Sequence, residues 1–112
     1  MYTFLNDPVI EESLQKQLDT IVKLTIDLYG RDCTIILAGG FGRGEGSVRM
    51  NQNQIAVPLH DFDIYVITDK TADSVKHQAM EKNIIRELSS LTRADLQKDG
   101  FALSVEVVPK SP

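Results

Sequence analysis

Helical and strand periods alternate along this chain, which predicts an α/β or α+β domain: a small mixed β-sheet of three to four strands packed by two long helices. Two apolar stripes at three- and four-residue steps supply the helices, one from Ile10 to Leu28 and one from Val75 to Leu91. Three short runs rich in β-branched residues supply the core strands, and the second stripe separates the last two of them. With 112 residues, the whole chain is expected to form one domain with one core.

The first helix is predicted over Pro8–Tyr29. Asp7 can cap it, and Pro8 suits the first helical position, where its missing N–H costs nothing. Ile10, Leu14, Leu18, Ile21, Val22, Thr25 and Leu28 form its buried stripe, while Glu11, Glu12, Lys16, Asp19 and Lys23 lie on or near the opposite face. Gly30 suits the position just past its end. Thr34–Ala38 reads as the first strand, with Cys33 as a small buried hydrophobe. A helical turn over residues 44–50 is expected next, then a polar turn at 51–54. Residues 55–57 suit a short edge strand ended by Pro58. Phe62–Ile67 is the second core strand, in which Phe62, Ile64 and Val66 or Ile67 pack. Asp61, Asp63 and Tyr65 share its other face by the two-residue period. The second helix spans 73–91 on the stripe Val75, Ala79, Ile84, Ile85, Leu88 and Leu91. A polar connector over 92–99 is broken by Gly100, and residues 101–108 form the third strand, with Glu106 in its second half.

Charge and composition exclude several classes of function. A net charge of -4, with lysines and arginines scattered, speaks against a general nucleic-acid coat. Contacts with phosphate would be local. One cysteine leaves no internal disulfide and suits a reducing compartment. No apolar stretch approaches bilayer length and no leader pattern opens the chain, so a cytoplasmic protein is expected.

Two motifs carry chemistry. The first strand runs into five glycines, Gly39, Gly40, Gly42, Gly44 and Gly46, with Arg43 and Glu45 among them. Without Cβ atoms, such a backbone can turn sharply and bring its N–H groups close to an anion. The dinucleotide pattern fails, because Gly40 and Gly42 lead to Glu45, and Gly42 and Gly44 lead to Ser47. The Walker A pattern fails as well: Gly39 and Gly44 have its spacing, but Glu45 stands where its lysine must be. The second motif is Asp61-Phe62-Asp63. Aspartate is depleted in strands, and two like charges on one strand face repel unless a cation sits between them. Mg²⁺ takes oxygen ligands and often combines one or two carboxylates with phosphate oxygens. The plain alternatives are a tight loop, a turn capped by Asp61, and acids facing solvent.

Together, these motifs resemble the DNA polymerase β-like nucleotidyltransferase superfamily. Its pattern is an apolar strand, Gly-Gly or Gly-Ser, an acid–apolar–acid triplet on the next strand and a third acid on a later one. Here these are Ile35 to Ala38, Gly39-Gly40, Asp61-Phe62-Asp63 and Glu106. Residues 39–44 look like the Gly-Ser-x-Ala-Arg-Gly loop of minimal nucleotidyltransferases, with Gly40 in place of the commoner serine. The stretch from Gly40 to Asp61 is longer than in minimal members, the extra length falling at 48–58. The resemblance implies a nucleotidyltransferase fold and transfer of a nucleoside monophosphate from an NTP, ATP being the first expectation, to an acceptor hydroxyl on a protein, small molecule or RNA end. It implies two Mg²⁺ (or Mn²⁺) ions held by Asp61, Asp63 and Glu106, with Glu106 also placed to deprotonate the acceptor. Gly39, Gly40, Arg43 and Ser47 would bind the triphosphate. Family members usually carry a further helical segment after the third strand, so a partner chain or a longer protein would complete the site.

Four further residues have plainer expectations. His60 reads as a turn histidine beside Asp61, Glu45 as an exposed acid, His77 as a solvated helix residue and Tyr65 as packing. Two alternative functions stand beside the first. One is a non-catalytic nucleotide-binding regulator of the same fold. The other is a sugar-nucleotide pyrophosphorylase, because Leu37-Ala-Gly-Gly-Phe-Gly-Arg43 looks like the Leu-Ala-Gly-Gly-x-Gly-x-Arg loop of those enzymes. That loop, however, normally opens a much larger chain, and its arginine comes one position later.

Overall fold

In the computed structural model, the described residues are 1–3, 6–59, 61–96, 98 and 101–110. The elements run α1 (Pro8–Tyr29), β1 (Thr34–Ala38), α2 (Gly39–Gly42), β2 (Val48–Met50), β3 (Ala56–Pro58), β4 (Phe62–Ile67), α3 (Ser74–Thr92) and β5 (Leu103–Val108). The expectations for His60 and Gly100, and part of the 92–99 connector, lie outside the described residues.

The central sheet has three strands in the order β1-β4-β5. β1 runs antiparallel to β4, and β4 runs parallel to β5 with α3 as the crossover. The result is a mixed α+β domain. Its register puts Leu37, Ile64 and Val105 in one row across the sheet, beside Phe62 and Leu103. Phe62, Ile64, Val66 and Val105 on this face join Leu14, Leu18 and Ile21 of α1 and Met80, Ile84 and Leu88 of α3 in one buried cluster. Leaving water is what holds these layers together, at roughly 25 cal/mol per Å² of apolar area. The opposite face carries the rows Ala38–Asp63–Ser104 and Ile36–Tyr65–Glu106. Its central residues are open: Ile36 and Tyr65 are 42% and 37% exposed.

α1 begins where expected. Asp7 accepts hydrogen bonds from Val9 N (2.9 Å) and Ile10 N (3.3 Å), and Gly30 at φ 82° ends the helix, donating its N–H to Ile26. The buried stripe differs in detail from the one expected. Val22 is exposed, and Gln17 is buried because its Nε2 donates to Ala56 O at 2.8 Å. In α3 the buried line is Met80, Ile84, Leu88 and Thr92, a strict four-residue step, while Val75 and Leu91 face solvent. Thr92 substitutes for an apolar residue by returning its hydroxyl to Leu88 O at 2.8 Å.

Two expectations between β1 and β4 are corrected. The helical turn lies at Gly39–Gly42 rather than 44–50, and Val48–Met50 is a strand. Residues 56–58 do not extend the central sheet as an edge strand; they pair with β2 in a separate two-stranded ribbon. Asn51 organises that ribbon's turn: its side-chain oxygen accepts from Asn53 N (2.9 Å) and Ile55 N (3.1 Å). Its Nδ2 reaches Thr92 O at 2.6 Å, tying the turn to the end of α3. Cys33 is half-buried rather than fully buried, and its thiol donates to Gly30 O at 3.2 Å. Among the described residues, no helix is long and apolar enough to cross a membrane.

Candidate functional site

The site is built where β1 ends and β4 begins. Ala38 and Asp63 are register partners across the antiparallel pair, so the first glycine after β1 necessarily lies beside the Asp63 side chain. Gly39 has φ +67°, a conformation side chains rarely adopt, and a Cβ placed there would overlap Asp63 Oδ2 and lie 3.2 Å from its Cγ. The carboxylate is thus packed on bare backbone. Loop and acid form one unit, the arrangement in which a glycine is required for both its dihedral angle and its lack of a side chain.

Beneath this unit lies a buried aromatic column that the sequence motifs do not reveal. Phe41, inside the glycine loop, is 0% exposed. Its ring meets Phe62 edge-on at 4.9 Å, and Phe62 meets Phe101 at 5.5 Å. These edge-to-face contacts connect α2, the start of β4 and the approach to β5. Phe41 sits two residues after Gly39, so folding the loop as a helical turn directs its ring into the core. The signal available in the sequence was a single large apolar residue amid glycines. Gly46 completes the packing, since a Cβ there would collide with the Phe41 ring.

The loop is closed by its own backbone. Arg43 N donates to Gly39 O (3.1 Å), Gly44 N to Phe41 O (3.2 Å) and Glu45 N to Gly40 O (2.7 Å). The N-terminal segment supports it from outside through Gly46 N to Tyr2 O at 2.9 Å and a parallel bridge between Thr3 and Gly46. Arg43 projects outward, 66% exposed, and its Nε pairs with Glu45 Oε2 at 3.3 Å. An exposed pair of this kind is weak, typically under about 1 kcal/mol, so the guanidinium remains available to a stronger anion. Glu45 is on the surface, as its exposed-acid reading expects. Ser47 is exposed, and its carbonyl accepts from Leu59 N at 2.9 Å where the β2–β3 ribbon opens.

The three acids are placed differently from one another. Asp63 is half-buried against Gly39. Asp61 is exposed and accepts a hydrogen bond from Ala102 N at 3.0 Å through Oδ1, which joins the start of β4 to the start of β5. Glu106 is opposite Tyr65, while Ser104 is opposite Asp63. Glu106 therefore shares the open face with Asp63 but stands on the neighbouring strand two residues further along. It also borders a recess of about 450 Å³ together with Tyr29, His77 and Glu81. Among the described residues, no group of three or more His, Cys, Asp or Glu side chains is arranged to hold a metal ion. Tyr65 lies on the open face between Asp63 and Glu106 rather than packing.

His77 departs furthest from its expectation. Its side chain is 19% exposed, not solvated. Its Nδ1 is 2.5 Å from Tyr29 Oη, and its Nε2 is 2.9 Å from Val105 O. A carbonyl only accepts, so Nε2 carries the proton, and in the neutral ring Nδ1 accepts from the tyrosine. Burial, helped by the Glu81 carboxylate, raises the Tyr29 pKa above the ordinary tyrosine value. A scan against protein-family models, a search of curated proteins and a search of solved structures each found no match to this chain.

Proposed function

We propose that this chain is a nucleotidyltransferase domain, which binds an NTP at the Gly39–Asp63 unit and transfers its nucleoside monophosphate to an acceptor hydroxyl. The observation that carries the reading is the packing of the Asp63 carboxylate against Gly39, at the end of a strand antiparallel to that of Asp63. A loop able to approach phosphate and a carboxylate able to hold a cation are thereby adjacent, which neither a plain turn nor a surface aspartate requires. The mixed sheet supports this reading over the pyrophosphorylase alternative, whose larger Rossmann-like domain differs from a three-stranded sheet with β1 antiparallel to its neighbour.

The donor set fits Mg²⁺ or Mn²⁺: carboxylate oxygens from Asp61 and Asp63, with phosphate oxygens completing the shell. When bound, such ions would offset the triphosphate charge and stabilise the leaving pyrophosphate. The chain's own groups do the positioning. Gly39 and Gly40 open a helical turn, where the first N–H groups have no intrahelical partners, and they would face phosphate oxygens. Arg43 would exchange its weak contact with Glu45 for a charge-assisted one with phosphate. Ser47, just beyond, would add a hydroxyl donor. Asp61 would keep Oδ1 on Ala102 N and offer Oδ2. Glu106, one row along the open face, would complete the metal shell and accept the proton of the acceptor hydroxyl. ATP is the first donor to try; a protein, small molecule or RNA end is the acceptor class; and a partner chain or further segment would contribute the acceptor's side of the site. The domain would work in the cytoplasm.

A non-catalytic regulator of the same fold is the second reading. The observation favouring it is that Glu106 does not join Asp61 and Asp63 in one metal-holding group. Calorimetric titration with each NTP and Mg²⁺, on the wild type and on Asp61→Asn/Asp63→Asn, tests the shared step. Metal-dependent binding by the wild type alone is expected, and equal binding by both proteins would remove the proposal. Transfer of label from α-labelled NTP to a component of cell extract then separates enzyme from regulator.

A further inference from the structure

His77 and Glu81, one turn apart on α3, reach the outer edge of β5 and occupy both backbone groups of a single residue. His77 Nε2 lies 2.9 Å from Val105 O, and Val105 N donates to Glu81 Oε2 at 3.2 Å. Tyr29 holds the imidazole from its other nitrogen, and Glu81 Oε1 is 3.7 Å from Nε2. Both side chains are largely buried, 19% and 26% exposed. Burying polar groups is costly unless they are hydrogen-bonded, so the arrangement calls for a reason beyond packing.

The reason follows from the edge itself. Among the described residues, β5 pairs with β4 on one side and with no strand on the other. Residues alternate in direction along a strand, and the contacts of Val105 with α3 show that Leu103, Val105 and Val107 turn their N–H and C=O groups outward. An open edge of this kind is a template for another strand. The β5 sequence fits one strand in particular, its own. In an antiparallel pair with a two-fold at Val105, Leu103 faces Val107, Ala102 faces Val108, and Ser104 faces Glu106. Apolar residues meet apolar ones, and no like charges stand opposite each other. At the centre of that pair, the two Val105 residues would exchange both backbone hydrogen bonds. Those two groups are the ones that His77 and Glu81 occupy.

The geometry points to a plugged self-association surface: His77 and Glu81, held by Tyr29, keep the β5 edge closed to the β5 of a second copy. The inference is independent of nucleotide chemistry, since it uses the sheet edge and not the Gly39–Asp63 unit.

Sedimentation velocity over a wide concentration range tests it, with circular dichroism confirming the fold. The wild type should sediment as a monomer. His77→Ala/Glu81→Ala should double in mass as concentration rises. Adding Val107→Pro, which removes an outward N–H without touching the β4 ladder, should return it to a monomer. Glu81→Gln retains an acceptor for Val105 N and should remain monomeric. A folded double variant that stays monomeric at every concentration overturns the inference. So does a wild-type dimer, or a variant dimer that Val107→Pro leaves intact. Should the double variant fail to fold, His77→Leu/Glu81→Leu takes its place: it frees both Val105 N and Val105 O while keeping apolar bulk under β5, and its dimerisation supports the plug while a folded monomer at every concentration refutes it.

Discussion

Replacing Gly39 with alanine should damage the protein in two separable ways. The first is conformational. Gly39 sits at φ +67°, where a Cβ meets the following carbonyl, and the left-handed conformation costs about 1–2 kcal/mol for an ordinary residue. The second is steric. The new methyl would overlap Asp63 Oδ2 and crowd Cγ at 3.2 Å, yet it would meet Asp63 Cβ at an ordinary 3.5 Å. Asp63→Ala therefore removes the steric part and leaves the conformational one. In a double-mutant cycle read by urea unfolding, Gly39→Ala should cost about 1–2 kcal/mol in the Asp63→Ala background. In the wild type it should cost more, with a coupling within about 0.5–3 kcal/mol. Wild-type protein carrying Gly39→Ala should also lose metal-dependent NTP binding, because the carboxylate must swing away. Equal costs in the two backgrounds would show that Asp63 does not pack on Gly39, and the argument joining loop and acid into one site would fall with it.

Phe41→Ala should destabilise the fold by about 3–5 kcal/mol, the range for deleting a buried aromatic, with Phe41→Leu costing clearly less; unfolding curves measure both. Tyr29 gives a pH prediction. Its folded pKa lies above the unfolded value of about 10, so the folded state holds its proton more tightly. The associated stability is complete below that unfolded value and is lost as pH rises through the folded pKa. Unfolding free energies measured across this alkaline window should fall more steeply for the wild type than for Tyr29→Phe. Asp61→Asn keeps a side-chain oxygen for Ala102 N, so its thermal midpoint should stay near that of the wild type while Mg²⁺-dependent NTP binding drops. Loss of stability without loss of binding would reverse the role assigned to it.

The helices and core strands were legible because their signals are local. Asp7 followed by Pro8 sets the start of α1 without reference to the rest of the chain, and the β-branched run at Phe62–Ile67 alternates as a half-buried strand must. The errors fall where a distant partner decides. Residues 56–58 are apolar enough for a sheet edge, but their neighbours are β2, Ser13 and Gln17, the latter two gripping Ala56 from α1. Val75 fits the helical period yet faces solvent, because α3 turns the line through Met80, Ile84 and Leu88 toward α1. His77 carries no local mark of burial; only the return of β5 beside α3 supplies the carbonyl that holds it.

The same division explains the site. Spacing alone placed Asp63 and Tyr65 on one face, since the two-residue period needs no partner. It could not place Glu106, whose position depends on the register between β4 and β5. A shift of two residues in that register would put Glu106 opposite Asp63; as folded, Ser104 stands there. The register is fixed by contacts at both ends of the strand pair: Phe101 against Phe62, Ala102 N on Asp61, and Thr68 N donating to Val108 O at 3.0 Å. Asp61 thus holds β5 at the offset that keeps Glu106 one row from Asp63. An acid proposed to bind a cation also determines where the third acid stands, so Asp61→Ala, unlike Asp61→Asn, should alter both.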